Sequence, residues 1–332
     1  ALNDYNGIST FTSSANVRVT EFMEALGFGA KNTYNRYLFE ESSPVANLFL
    51  NMKYMISRDG AVAENAYFDT VHNFDQVYLL ENNAYLPLGF LAEDTLADWD
   101  VEQTGNSFAI QNDLFRLATG LDEDVWNMLR NDRLTVTAND VTINTKSPIG
   151  LTSYTANKAG TLRYSYQIDQ EGFLCIRTTM SERNNFRVYK NGKELYSESV
   201  SLPQVLAVSD VQIGDTILIE ITCKAGTSGT VNIRPAILNE EIFRRGYDIL
   251  AASTLDLTEF SNTHIEGTIE CNRDGLLYTS VPYDGNWEVT VDGKPAEIVL
   301  VGNCMISLDL SAGSHTVEFR YKNDAFTIGA IV

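Results

Sequence analysis

Apolar positions along this chain follow two different periods. In the first 130 residues, helix-like spacing is interleaved with strand-like runs. Val45, Leu48, Phe49 and Met52 recur at i, i+3, i+4 and i+7 behind Ser43 and Pro44. That spacing predicts a helix that Ser43 can cap and Pro44 can open. Residues 53–57 predict a buried strand, and 76–92 predict two strands around an Asn82-Asn83 turn. Ile110, Leu114, Leu117 and Ala118 share one face of a helix that Gly120 ends. Asp122 is predicted to start a short second helix carrying Val125, Trp126 and Leu129.

From about residue 132 the period becomes two. Ile217, Ile219 and Ile221 alternate with other positions, as do Val317, Phe319 and Tyr321. Such alternation puts one face of a strand in a core and the other in water. One helix interrupts this region at 239–252: Asn239 caps it, Glu240 and Glu241 suit its positive N-terminus, and Phe243, Tyr247 and Leu250 form its apolar face. The β region also nearly repeats itself. "FRVYKNGKEL" at 186–195 aligns with "WEVTVDGKPAEI" at 287–298, so that Phe186 falls on Trp287 and Val188 on Val289. Asn191-Gly192 falls on Asp292-Gly293, and both pairs suit the type I′ hairpin, which needs φ > 0 twice. Gly214 then falls on Gly313. The expected fold class is α+β, a mixed α/β domain followed by two related antiparallel β-sandwich modules of jelly-roll type.

Composition narrows the function classes. At 44% apolar and 11% aromatic, the 332 residues can build a sizeable core. A net charge of −20 argues against nucleic-acid phosphates as partner and against a basic face on anionic lipid. Cys175, Cys223, Cys271 and Cys304 form no C-x-x-C pair and sit in or beside apolar runs. They read as buried thiols, with one or two disulfides as the alternative. No basic and apolar leader is visible at the start, and 325–332 reads as the first residues of a membrane span, which needs about 20 residues in all.

Candidate chemistry is sparse. His72, His264 and His315 lie far apart in sequence, and neither a nucleophile elbow nor a phosphate-cradling loop is present. Asp98-Trp99-Asp100 resembles the D-x-D with which some sugar transferases hold a metal, so Asp98 and Asp100 are weak metal candidates against solvated charge. Asp122-Glu123-Asp124 reads better as helix capping. Tyr278, Tyr283 and Trp287, with Asp284 in the turn between them, are the candidate glycan contacts. The competing reading of Trp287 is a core residue, because its W-x-V-x-V strand places it on the side of Val289 and Val291.

The segment "GLLYTSVPYDGNWEVTVDGKPAEIVLVGNCMISLDLSAGSHTVEFRYKND", 275–324, resembles the C-terminal extracellular portion of the YfhO family of bacterial membrane proteins. "DYNGISTFTSSAN" (4–16), "SSPVANLFLNMKYMISRDG" (42–60) and "FAIQNDLFRLATG" (108–120) resemble extracytoplasmic segments of that family in the same order. The resemblance implies an extracytoplasmic, non-catalytic domain of a polytopic, glycosyltransferase-like protein of the cell membrane. Its catalytic carboxylate would lie in a membrane core outside this sequence, so no catalytic residue and no cofactor is assigned here. The implied partners are that membrane core and an acceptor glycopolymer of lipoteichoic-acid type. The implied layout is a mixed domain at 1–130, sandwich modules at 131–238 and 253–324, a connecting helix at 239–252, and the start of a membrane segment at 325–332. Two rival classes stand beside it: a structural or protein-interaction module of the envelope, and a glycoside hydrolase using a carboxylate pair.

Overall fold

The structure, a computed structural model, describes residues 7–8, 10–11, 16–30, 36–37, 42–57, 66–75, 77–101, 106–130, 133–147, 150–200 and 202–322. The expected membrane segment at 325–332 lies outside them. Among the described residues no helix is long and apolar enough to cross a membrane.

Four helices start on side-chain caps. In α1 (Val17–Ala25) Asn16 accepts from the Arg18 amide, and in α2 (Pro44–Phe49) Ser43 accepts from the Ala46 amide. In α3 (Ser107–Thr119) Asn106 accepts from Phe108 and Ala109, and in α4 (Glu240–Ala251) Asn239 accepts from Ile242. Gly120, at φ +72°, ends α3 in the left-handed conformation that favours glycine.

Two antiparallel sandwiches make up most of the chain. In the first, a five-stranded sheet runs in the order Lys193–Val200, Asn184–Lys190, Thr216–Cys223, Gly160–Gln167, Thr135–Asn139. It faces a sheet ordered Gln204–Val211, Gly172–Met180, Thr227–Leu238, Leu151–Ala156, Thr142–Lys146, with Trp126–Met128 added beside Thr227–Leu238. In the second sandwich, the five-stranded sheet runs Lys294–Pro295, Trp287–Val291, Gly313–Tyr321, His264–Cys271, Asp256–Phe260. Its partner sheet runs Val299–Val301, Met305–Leu310, Gly275–Pro282, Gly89–Ala92.

The repeat seen in the sequence is therefore a repeat of topology. In each five-stranded sheet the Asn-Gly or Asp-Gly hairpin forms the same edge, next to the same third strand. The fastening is also the same. Asn191 donates its amide to the Thr216 carbonyl and accepts the Thr216 amide on its side chain, both at 2.9 Å. Asp292 makes the same two contacts with Thr316, both at 2.9 Å. Asn191 and Asp292 each have φ +51°, and Gly192 and Gly293 follow at +83° and +72°, as a type I′ turn requires.

One strand in each sandwich is buried on both faces over part of its length. On strand Gly172–Met180, Leu174 and Ile176 point into the first sandwich, while Phe173 and Cys175 join a separate core. On Gly275–Pro282, Leu277 and Val281 point into the second sandwich, while Leu276 and Tyr278 join that same separate core. The shared core is filled by Phe22, Phe49, Phe108, Phe115 and Phe243 from the helices. The N-terminal elements are thus clamped between the outer faces of two sandwiches. Double-sided burial explains the unbroken apolar runs "GFLCI" and "GLLY". All four cysteines are buried free thiols.

Three local expectations are corrected. Residues 126–128 form a strand paired with Ala236, Ile237 and Leu238, not a helix. The Asn112 side chain accepts the Trp126 amide at 2.8 Å and donates to the Trp126 carbonyl at 3.2 Å, holding the segment extended. Within 76–92, strands form at Val77–Asn82 and Gly89–Ala92 but do not pair with each other. The hairpin partner of Val77–Asn82 is Phe68–Phe74, and Gly89–Ala92 pairs with Gly275–Pro282 across the molecule. Finally, Trp287 packs against the second-sandwich core on the side of Val289 and Val291, as its alternation predicts, but is half-buried rather than fully inside, because only the two-residue strand Lys294–Pro295 covers its edge of the sheet.

Candidate functional site

The residues singled out in the sequence separate into three places. Tyr278 is fully buried between the sandwiches, and its hydroxyl donates to the Phe49 carbonyl at 3.0 Å. Its ring stands edge-on to Phe49 and tilted on Phe90. No face of it is open to a sugar, which corrects its candidacy as a glycan contact.

Tyr283, Asp284 and Trp287 do come together, on a rim of the second sandwich. Tyr283 and Trp287 are half-buried and Asp284 is exposed. Trp287 packs edge-on against Tyr321, with centroids 5.1 Å apart and planes at 77°. The Tyr321 hydroxyl donates to Asp284 at 2.5 Å and accepts from the Asn286 side chain at 3.1 Å. Partial burial works to raise the Asp284 pKa, but the bonds from Tyr321 and Asn286 outweigh it and hold the carboxyl below its ordinary value.

Asp98 and Asp100 are exposed on either side of buried Trp99, whose indole donates to the Ile110 carbonyl at 3.3 Å. Neither belongs to a group of metal-type ligands among the described residues. The residues there that do come together are Glu259, His264 and Glu266, with ligand atoms within 4.8 Å of one another. Strand register sets Glu259 opposite Glu266 and Glu266 opposite Glu318, a row of like charges across three strands. His264 relieves it, with Nδ1 2.9 Å from Glu259 and Nε2 2.8 Å from Glu318, and Arg320 also pairs with Glu318. These contacts raise the His264 pKa, the Glu259 bond contributing most. Cationic side chains therefore already occupy this acidic row.

A separate cleft among the described residues involves none of these side chains. It has a volume of about 510 Å³, within the ~300–1,000 Å³ typical of ligand sites. It opens where strand Gly172–Met180 begins, where Gln204–Val211 ends, and where Thr227–Leu238 runs into α4. Its polar groups include Asn127, Gln170, Glu171, Asp210, Glu240 and Arg244. Asp210 is the one residue of Gln204–Val211 that is not buried, a carboxylate at the mouth of an otherwise buried strand. Burial raises its pKa first and the Glu240 charge second, while Lys190 and the Ala66 amide act the other way. Behind the cleft, Tyr67 stands edge-on to Phe173 and Phe243 at 5.2 and 5.5 Å. Its phenol is pushed well above the ordinary range, chiefly by burial and then by Glu240. The arrangement offers carboxylates, side-chain amides and a guanidinium on a rigid wall, a set that can bind several hydroxyl groups at once. No sequence motif links these residues. The one local sign is an Asp inside the apolar run "QVLAVSDV".

Among solved structures, the chain is similar to a cycloisomaltooligosaccharide glucanotransferase from Paenibacillus sp. complexed with cycloisomaltoheptaose, at 8% identity and TM-score 0.23, covering 63% of this chain and 49% of that one. It is similar to the arabinofuranosyltransferase AftD from Mycobacteria at 12% identity and TM-score 0.19, covering 44% and 12%. It is similar to beta-glucuronidase 2 of Bacteroides uniformis at 11% identity and TM-score 0.21, covering 58% and 27%. The chain thus spans about half the length of the first and smaller parts of the others, and likenesses this slight carry no inference. No curated protein matches the chain. The family described as "Bacterial membrane protein YfhO" matches residues 2–332, essentially from end to end. The chain belongs to the YfhO family of bacterial membrane proteins.

Proposed function

We propose that this chain is an extracytoplasmic, non-catalytic domain of a membrane glycosyltransferase-like protein and that it holds the acceptor glycopolymer in the cleft at Asp210. The observation that carries the reading is the cleft's donor and acceptor set, placed at the junction of the first sandwich, α4 and the N-terminal elements. Its charge narrows the ligand. Asp210, Glu171 and Glu240 outnumber Arg244 in the lining, and the whole chain carries −20. Such a site repels phosphate and favours the hydroxyl-rich sugar or polyol portion of a glycopolymer.

The test is calorimetric titration of the chain with deacylated lipoteichoic acid and with neutral oligosaccharides. Loss of a charged hydrogen bond is worth about 1.5–3 kcal/mol, so Asp210→Asn is expected to weaken binding about tenfold or more. Binding that survives unchanged in both Asp210→Asn and Glu240→Gln refutes the site. The raised Asp210 pKa beside Glu240 favours a second reading, a hydrolase in which Asp210 is the general acid and Glu240 the base. Release of reducing sugar by the chain, abolished in either variant, would establish that alternative.

A further inference from the structure

We propose that the rim carrying Tyr283, Trp287 and Tyr321 is the face this domain lays against the headgroup layer of a lipid bilayer. The inference goes beyond the glycan reading and does not depend on the cleft. Three independent observations meet at this rim.

The first is topological. The residue that caps α1 and the residue that follows the last strand both touch the same turn. The Asn16 side chain donates to the Tyr283 carbonyl at 3.4 Å, and the Lys322 amide donates to the Asn286 carbonyl at 2.8 Å. Val17, the first residue of α1, is 49% exposed. From Ala325 onward the sequence reads "AFTIGAIV", without a charged residue. An apolar stretch thus follows, in sequence, within a few residues of this rim.

The second is chemical. Trp and Tyr concentrate where hydrocarbon gives way to headgroups, because each has an apolar ring and a polar tip. Here Tyr283 and Trp287 are half-buried, and the Tyr321 hydroxyl is tied to Asp284 and Asn286. Lys322, which follows Tyr321 and pairs with Glu288, and Arg18, two residues after the Asn16 that touches Tyr283, are both exposed, long cations whose stems can lie along lipid while their heads stay in water. The third is the family, whose members are bacterial membrane proteins. Charge selects the kind of lipid surface. At −20 the chain is repelled by anionic lipid, so the contact rests on aromatic insertion among uncharged headgroups and not on a basic patch.

Tryptophan fluorescence tests this directly. The chain has three tryptophans, and Trp99 and Trp126 are each only 2% exposed, so Trp287 alone can be reached from outside. The full chain is mixed with vesicles of phosphatidylcholine, either plain or brominated near the headgroup. Brominated lipid is expected to quench up to a third of the emission, and Trp287→Phe is expected to abolish that quenching while the fold is kept. Adding phosphatidylglycerol at low salt is expected to weaken the association. Phe74→Ser is the control, because Phe74 is 61% exposed on the separate Tyr54–Ser57, Val77–Asn82, Phe68–Phe74 sheet. It should leave the quenching unchanged. Failure to associate with vesicles, association without quenching of Trp287, or quenching lost in Phe74→Ser each overturns the proposal. So does a Trp287 emission that responds to soluble oligosaccharide and not to lipid, which would make the rim a sugar platform.

Discussion

Gly246→Ala on α4 sets two effects of known size against each other. Alanine in a helix interior is favoured over glycine by about 1 kcal/mol. By propensity alone the substitution should stabilise the chain. At this position, however, a Cβ would lie 2.2 Å from Phe115 Cζ, 2.4 Å from Phe115 Cε1 and 3.0 Å from Thr119 Cγ2. Phe115 cannot move aside cheaply. It is fully buried, and it is stacked on Phe243 with centroids 6.0 Å apart and planes at 19°. Thr119 is held as well, its hydroxyl donating to the Phe115 carbonyl at 2.7 Å. Overpacking of this kind costs about 1–3 kcal/mol, and the contact is severe enough to place it at the upper end. The expected net result is a loss of about 1–2 kcal/mol, read as a lower urea midpoint at unchanged slope. Phe115→Leu removes the two offending atoms, so Gly246→Ala should cost less in the Phe115→Leu background than in the native one. That coupling should be about 1 kcal/mol or more. Because α4 also carries Glu240 and Arg244, the single variant is expected to weaken ligand binding in the cleft. A midpoint for Gly246→Ala at or above that of the native chain would refute the reasoning.

Tyr278→Phe tests the buried seam between N-terminal elements and second sandwich: it leaves the Phe49 carbonyl without its donor and should cost about 1–3 kcal/mol in urea denaturation, with glycan binding unaffected. His264→Gln tests the acidic row by pH. The folded pKa of His264 is raised above the ordinary value of 6.5, so its contribution is fully present below about pH 6.5 and is lost as pH rises through the folded pKa. The variant should therefore melt lower than the native chain at pH 5.5 and together with it at pH 9; an equal deficit at both pH values would show that the imidazolium is not what holds the row.

How much of this was legible in the sequence follows the range of the forces involved. Helix caps at Ser43 and Asn239, the stop at Gly120 and the two hairpin turns are local, and each is read from neighbouring residues. The twin sandwiches were legible because Asn191-Gly192 and Asp292-Gly293 must both take positive φ twice and stand in the same alternating context, with Gly214 and Gly313 following at like distances. Trp126 was misread because its backbone is satisfied by Asn112, a side chain 14 residues away that no periodicity reports. The acidic row at His264 was missed for a similar reason: Glu259, Glu266 and Glu318 become neighbours only through strand register. The cleft draws on residues near 66, 127, 170, 210 and 240, so it has no spacing to recognise. Tyr278 looked like a companion of Tyr283 by number, but it lies in a strand buried on both faces, where alternation gives no direction to water.

One strand position departs from a simple repeat, and it bears on how the N-terminal elements are joined to the second sandwich. In the first sandwich, strand Gly172–Met180 is flanked by Gln204–Val211 and Thr227–Leu238. In the second, the equivalent strand Gly275–Pro282 is flanked by Met305–Leu310 and Gly89–Ala92. The first sandwich fills the position of Thr227–Leu238 from its own sequence: after Cys223 the chain turns at Gly226 and crosses to the opposite sheet. The second sandwich fills it with a strand from nearly two hundred residues earlier. Closing so long a loop costs little more than closing a short one, because the entropy rises only with the logarithm of length. Gly89–Ala92 thus occupies, beside Gly275–Pro282, the place that Thr227–Leu238 occupies beside Gly172–Met180. Trp287 pairs with Tyr321 in the strand register, so the strand Gly313–Tyr321 ends beside Trp287. The borrowed strand thus ties the N-terminal elements to the second sandwich, whose strand Gly313–Tyr321 ends at the aromatic rim proposed to meet the bilayer.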